Sequence, residues 1–298
     1  MPKRLNLDLS GEPAADADLA NGSIFFVGTA TVIIRFACFT ILTDPNFLHA
    51  GDHAHLGYGL TTERLTEPAF DIEALPPVHF CILSHYHGDH FDQIVQEKLR
   101  KDLPIVTTSE AADELKEKGF TACIALDTWD SISVQGEKAR VVITSMPGEH
   151  GPGIVDYALP DVMGSMLDFE TLSAERLMRM YITGDTLIFD EINEIPKRFP
   201  GVDLALLHLG GTRVMGILVT MDDEQGVEMM QIIQPEKAIP IHYNDYDVFK
   251  SPLEDFQRAI ERAGMSDRMV YLKHGDSYEF RAPRGIAGDG QKRRMVNT

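Results

Sequence analysis

"SHYHGDH", Ser84 to His90, places three histidines and an aspartate within seven positions, with one glycine among them. Imidazoles and a carboxylate contribute little to packing, and at this density they crowd one another unless something binds them. His85 and His87, two apart in an extended segment, point the same way and can grip one ion. Gly88 is expected to permit a sharp turn that a side chain would hinder. Past that turn, Asp89 and His90 face a second position. The segment before it, "VHFCILS" (78–84), is apolar enough to be a strand buried on both faces.

Two ions need more donors than one turn supplies, and later strand ends hold them. His150 stands in "SMPGEHGPG" after an apolar run at 139–146, Asp185 in "YITGDT", and His242 in "IPIHYND". His85, His87 and His150 would then hold one ion, and Asp89, His90 and His242 the other. Asp185 is left over, and a carboxylate with two oxygens can bridge both. Zinc is the first expectation for two divalent ions with such donors, with manganese or iron as alternatives.

Working outward, "SIFFVG", "TVIIRF" and "FTILTD" (23–44) read as an antiparallel meander closed by Asp44-Pro45-Asn46. Residues 49–77 read as a long loop with one short helix, and 91–100 as a helix. "PIVTT" (104–108) reads as a strand, and 109–119 as a helix with Ser109 as N-cap and Gly119 as its stop. Strands are expected at 121–126, 131–135 and 139–146, a loop at 147–162, and strands again at 179–185 and 202–210. A helix ended by Pro235, a strand at 237–243, a helix at 252–264 and a closing hairpin over 268–280 complete the pattern. No repeat or linker interrupts it. One domain over 23–281 is expected, built from two packed sheets with outer helices, between a polar extension (1–22) and a basic tail (282–298).

The bulk numbers agree with an enzyme. With 298 residues, 44% of them hydrophobic, the chain can bury a large core. A net charge of −19 disfavours nucleic acid and anionic membranes as partners. Cys38, Cys81 and Cys123 sit in apolar runs with no disulfide or zinc-knuckle spacing. No signal-peptide core and no run of 18 apolar residues is present, so a cytoplasmic protein without a membrane span is expected. A small-molecule substrate follows, and homo-oligomerisation is left open.

Through "SHYHGDH", "GEH", "TGD" and "PIHY" the chain resembles the metallo-β-lactamase-fold superfamily of metal-dependent hydrolases. "FVGTATVIIRFACFTILTDPNF" (26–47) and "TMDDEQGVEMMQIIQPEKAIPIHYNDY" (220–246) are similar to one branch in particular. That branch holds ascorbate-6-phosphate lactonases and N-acyl-phosphatidylethanolamine phospholipase D. The resemblance implies an α/β four-layer αβ/βα sandwich with a dinuclear site at one edge of the sheets. Two-zinc β-lactamases of the superfamily carry a cysteine where this chain has Asp185, which argues against antibiotic hydrolysis. Flavodiiron proteins carry a glutamate where it has His87.

The expected chemistry is hydrolysis, a metal-bound hydroxide attacking an ester, lactone or phosphodiester, with Asp89 orienting it or shuttling its proton. An iron-dependent oxidoreductase on the same ligands, or a non-catalytic metal-binding scaffold, are the competing classes. Around the ligands, Tyr86, His208, Arg213 and Asn244 are candidates for substrate contact, as is Tyr243. Arg213 would anchor an anion. Asp44 is expected to support the turn or accept a hydrogen bond from a ligand histidine. His49, His53 and His55 have ligand-like spacing but read as a polar loop near the pocket mouth. His79 and His274 read as structural.

Overall fold

A computed structural model describes residues 2–11, 18–57, 59–152, 159–214 and 216–283. Its strands form two seven-stranded sheets. The first runs Ser277–Arg281, Asn21–Gly28, Thr31–Phe36, Phe39–Thr43, Phe80–Ile82, Ile105–Thr107 and Cys123–Ala125 from edge to edge. Its first four strands are antiparallel and the rest join in parallel. The second runs Arg4–Asp8, Ser131–Gln135, Ala139–Met146, Gly164–Thr171, Arg176–Ile182, Leu204–His208 and Lys237–Ile241. Its last two strands are parallel to Arg176–Ile182, and they are almost continuously buried, as strands covered on both faces must be.

The period of two along each strand sorts side chains into layers. Ile34, Ile41, Val141, Leu167, Phe169, Leu206 and Ile239 fill the space between the sheets. Their neighbours face outward: Ile33, Leu42 and Ile105 pack against Val95, Ala111 and Leu115 of the helices Gln93–Lys98 and Ser109–Glu117. On the other side, Met166, Tyr181 and Leu207 meet Met229, Met230, Phe256 and Ile260 of the helices Asp223–Ile233 and Leu253–Arg262. The result is the four-layer αβ/βα sandwich. Gly226 lets a helix approach the sheet closely, since a Cβ there would lie 2.8 Å from both Leu209 and Phe256. No helix among the described residues is long and apolar enough to cross a membrane.

The structure departs from the sequence reading in several places. Gly164–Thr171, most of which falls in the 147–170 stretch read as a pocket-shaping loop, is a central strand; Gly164 and the half-buried Asp168 and Glu170 weaken its apolar signal. Of the expected N-terminal extension, described residues 2–11 are largely exposed, and within them Arg4–Asp8 forms a parallel edge strand beside Ser131–Gln135; Asn21 and Gly22 already belong to a strand of the other sheet. The expected hairpin over 268–280 does not form. Met269 bridges to Ala238 in one sheet, while Ser277–Arg281 pairs with Asn21–Gly28 in the other, so the segment ties the sheets together. Thr108, not Ser109, caps its helix, its hydroxyl accepting from Ala111 N at 3.2 Å. The loop at 49–77 contains a small hairpin, His53–His55 with Thr61–Glu63. Most of the expected C-terminal tail lies outside the described residues.

Leu167 is fully buried in the inter-sheet core, whereas Leu65 is 51% exposed. Leu167→Ala is expected to lose about 2–5 kcal/mol of unfolding free energy, and Leu65→Ala less than about 0.5 kcal/mol. Chemical denaturation of the two variants checks this.

Candidate metal centre

Five strands of the two sheets end at one edge of the sandwich, and their next residues build the site. Phe39–Thr43 leads to Asp44, Phe80–Ile82 to the 85–90 turn, Ala139–Met146 to His150, Arg176–Ile182 to Asp185, and Lys237–Ile241 to His242. Leu204–His208 ends on His208 itself. Asp44, His85, His87, Asp89, His90, His150, Asp185, His208 and His242 are all buried, His87 being the most exposed at 8%.

His85 Nε2 lies 3.0 Å from His87 Nδ1, and His150 Nε2 lies 3.4 Å from the same atom. Asp89 Oδ2 lies 3.4 Å from His242 Nε2. Asp185 stands between these groups, Oδ2 3.4 Å from His90 Nε2 and Oδ1 3.4 Å from His242 Nδ1. In each of the sets His85–His87–His150, Asp89–His90–His242 and His85–His90–Asp185, the donor atoms lie within 4.8 Å of one another. A further set, Asp44–His90–His208, meets the same limit. Among the described residues, Asp89 Oδ1, His90 Nε2, Asp185 Oδ1, His208 Nε2 and Asp44 Oδ2 are buried with no hydrogen-bond partner. Leaving so many polar atoms unsatisfied in a folded core is costly, and cations satisfy them together. The donor set therefore fits a pair of divalent ions.

Protonation agrees with that fit. Burial, then repulsion from neighbouring imidazoles, holds His85 well below its usual range, and lowers His87 to about 3. Burial likewise lowers His150. Burial pushes the carboxylates of Asp185 and Asp89 up, but the imidazoles of His242 and His90 outweigh it and hold both below the usual range. Neutral imidazoles and ionised carboxylates are the forms that ligate a metal. His90 goes the other way: burial opposes its charge, but Asp185 and Asp89 prevail and raise it well above the usual value. It is the point where negative charge concentrates.

The donors are held from outside. Asp44 Oδ1 accepts from Ser84 N at 2.8 Å and Ser84 Oγ at 2.7 Å, and lies 3.2 Å from His90 Nδ1. His150 Nδ1 meets Val219 O at 2.9 Å, and His242 Nδ1 meets Leu209 O at 3.1 Å, which orients both rings. Thr220 Oγ1 donates to Asp185 Oδ2 at 2.8 Å. Asp44 and His242 take positive φ, 35° and 60°, as does Thr29 at 53°, whose carbonyl accepts from His242 N at 2.6 Å. Strain of this kind persists only where surroundings over-determine it.

Gly88 serves a different end from the one its sequence context implies. Its φ is not positive; a Cβ would lie 2.5 Å from His55 N, so the glycine admits the 54–55 backbone against the turn. Asn46 Nδ2 donates to Gly88 O at 2.9 Å, and Asn46 Oδ1 accepts from Arg64 Nη1 at 2.7 Å and from Tyr246 Oη at 3.1 Å. Arg64 is fully buried and also donates to Thr29 Oγ1. Asp245 accepts from Thr29 N at 2.7 Å and Thr66 Oγ1 at 2.5 Å. This network braces Gly88 and Thr29, and sequence reasoning missed Arg64, Asn46, Asp245, Tyr246 and Thr220. Adjacency to "TDP" and "PIHY" was the only local signal, because these partners lie 18 to 216 positions apart in the chain.

The remaining candidates are spread out. His208 is fully buried with Nε2 3.8 Å from Asp44 Oδ2, its ring stacked at 5.9 Å on His90. Arg213 is exposed and lies 3.6 Å from Asp222. Asn244 is exposed and accepts from Leu253 N. Tyr243 donates to Leu272 O. Tyr86 is half-buried, its hydroxyl without a partner, and burial then Glu114 push its pKa up to about 12. His49 pairs with Glu67 at 2.6 Å, His53 and His55 are exposed, His79 Nδ1 accepts from Thr40 N, and His274 meets Asp245.

Thr220→Val removes the one hydroxyl that donates to Asp185. Metal affinity is expected to fall about tenfold, read by competition with a chromophoric chelator.

Comparison with known proteins bears on the same geometry. A UPF0173 metal-dependent hydrolase from Archaeoglobus fulgidus is 25% identical over 216 residues, 67% of this chain and 81% of that one. An isothiocyanate hydrolase from Delia radicum gut bacteria shares the fold with a TM-score of 0.74 at 19% identity, over 87% of this chain and 100% of that one. CmlA, a diiron β-hydroxylase from Streptomyces venezuelae, shares it with a TM-score of 0.62 at 16% identity, over 91% of this chain and 55% of that one. The beta-lactamase superfamily domain matches residues 40–243, from the strand before Asp44 to the residue after His242. With that span and this sandwich, the chain belongs to the beta-lactamase superfamily.

Proposed function

We infer that this chain is a metal-dependent hydrolase, and we propose that it works with two divalent ions on seven side chains. His85, His87 and His150 would hold one ion and Asp89, His90 and His242 the other, with Asp185 as the carboxylate available to both. One observation carries the reading: buried, largely unpartnered donors from both sheets gather within 4.8 Å in overlapping sets. No thiolate is among them, and zinc, manganese and iron all accept imidazole with carboxylate. When bound, such a pair brings a water's pKa toward neutrality and polarises a carbonyl or phosphoryl oxygen.

The chain supplies the rest. Asp89 stays ionised at neutral pH and keeps Oδ1 unpartnered, so it can hold the nucleophile's proton and pass it to the leaving group. Asp44 and Ser84 hold the His90 ring in place, and Thr220 fixes the Asp185 carboxylate. The reaction is hydrolysis of a small ester, lactone or phosphodiester. The similarity of 26–47 and 220–246 to the lactonase and phospholipase branch supports the last two. A second reading, an iron-dependent oxidoreductase, is favoured by the all-nitrogen-and-oxygen donor set, which suits iron equally.

Elemental analysis followed by a panel of lactones, esters, thioesters, phosphodiesters, phosphonates and isothiocyanates tests the proposal. Zinc or manganese with turnover of one class is expected. Asp185→Ala and His87→Ala should each lose at least about a hundredfold in rate. Full activity in both variants overturns the ligand assignment, and bound iron with turnover only alongside a redox partner selects the second reading.

A further inference from the structure

A cavity of about 670 Å³ opens beside the metal turn. Tyr86, His87 and Phe91 line it, together with Glu110, Glu114 and Lys118 of the helix at 109–117 and its end, and Asp161. Of the seven proposed ligands, only His87 lines it. His87 turns Nδ1 toward His85 and His150, at 3.0 and 3.4 Å. Its Nε2, on the other edge of the ring, is buried without a partner in a side chain only 8% exposed. The cavity and the ligand cluster thus share one imidazole as a wall.

The walls carry a definite charge pattern. Among the described lining residues, three carboxylates stand against a single ammonium, that of Lys118. Glu110 is engaged structurally, its Oε2 accepting from Asp161 N at 2.8 Å, which fixes the rim. Among the described residues no ion pair neutralises Glu114 or Asp161, whereas acidic neighbours outside the cavity, such as Asp113, are paired. The lining also includes the half-buried ring of Tyr86, whose centroid lies 6.1 Å from that of the buried Phe91. Carboxylates beside an aromatic ring suit an alkylammonium: the ring attracts it through its quadrupole and the carboxylates through charge. Arg213, the anion anchor expected from sequence, is not among the lining residues and faces Asp222 instead.

We propose that this cavity receives the non-reacting part of the substrate and selects one bearing an alkylammonium group. The inference rests on the hydrolase reading for its reaction but on the cavity alone for its selectivity, so two measurements separate them. First, calorimetric titration of the metal-loaded protein compares choline with 3,3-dimethylbutanol, its uncharged isostere. Choline is expected to bind about tenfold tighter at low ionic strength, with the ratio shrinking in high salt. Glu114→Gln should collapse the ratio, while Glu117→Gln, on the same helix but outside the cavity, keeps it. Second, turnover is compared for choline thioester, the 3,3-dimethylbutyl thioester and a sulfonate analogue, expected to fall in that order of kcat/KM. Equal binding of choline and its isostere, or a ratio indifferent to Glu114→Gln, overturns the selectivity whatever the turnover. Selective choline binding with no turnover of any probe supports the cavity and counts against the hydrolase reading.

Discussion

The structure is organised around the cost of burying ionisable donors. Four histidines of the proposed ligand set and the two aspartates have almost no solvent contact, and several of their nitrogens and oxygens lack any protein partner. In an apolar core such atoms are tolerated only if something of opposite charge compensates them. A pair of cations meets that requirement, and the direction of each shift follows: imidazoles are kept neutral by burial, and carboxylates are kept ionised by the imidazoles. His90, with carboxylates on several sides, is where that balance is tightest.

Holding the donors in place falls to the sandwich. Strand ends from two sheets meet at one edge because the inter-sheet core fixes the sheets against each other. Rigid strands deliver the backbone, and the side chains that follow are oriented by carbonyls and hydroxyls rather than by packing alone. The left-handed backbone at Asp44 and His242 is strained, and the bracing by Thr29, Asn46, Arg64 and Asp245 is dense just there. A buried guanidinium, that of Arg64, belongs to that network and donates to Asn46 and Thr29.

Charge also separates the centre from its approach. The cluster itself demands cations, while the adjoining cavity carries more carboxylates than its one lysine can offset. With a net charge of −19 the chain as a whole repels anions at long range.

Legibility in the sequence followed the range of the interactions. "SHYHGDH" could be read because its density of donors is local, and the strands around it because a period of two is local too. His150, Asp185 and His242 could be proposed as partners because each follows an apolar run and sits in turn chemistry. Gly164–Thr171 escaped because half-buried acids interrupt its apolar pattern, and the 268–280 segment because its two halves pair with different sheets. The amino-acid order by itself determined the superfamily and the layers, and it named the candidate donors. Only the tertiary structure decided which ring nitrogen of His87 faces the cluster, that Gly88 yields to the 54–55 backbone, and that Arg64 braces the turn. Those outcomes depend on contacts between segments brought together by the core, and no local pattern encodes the distance between them.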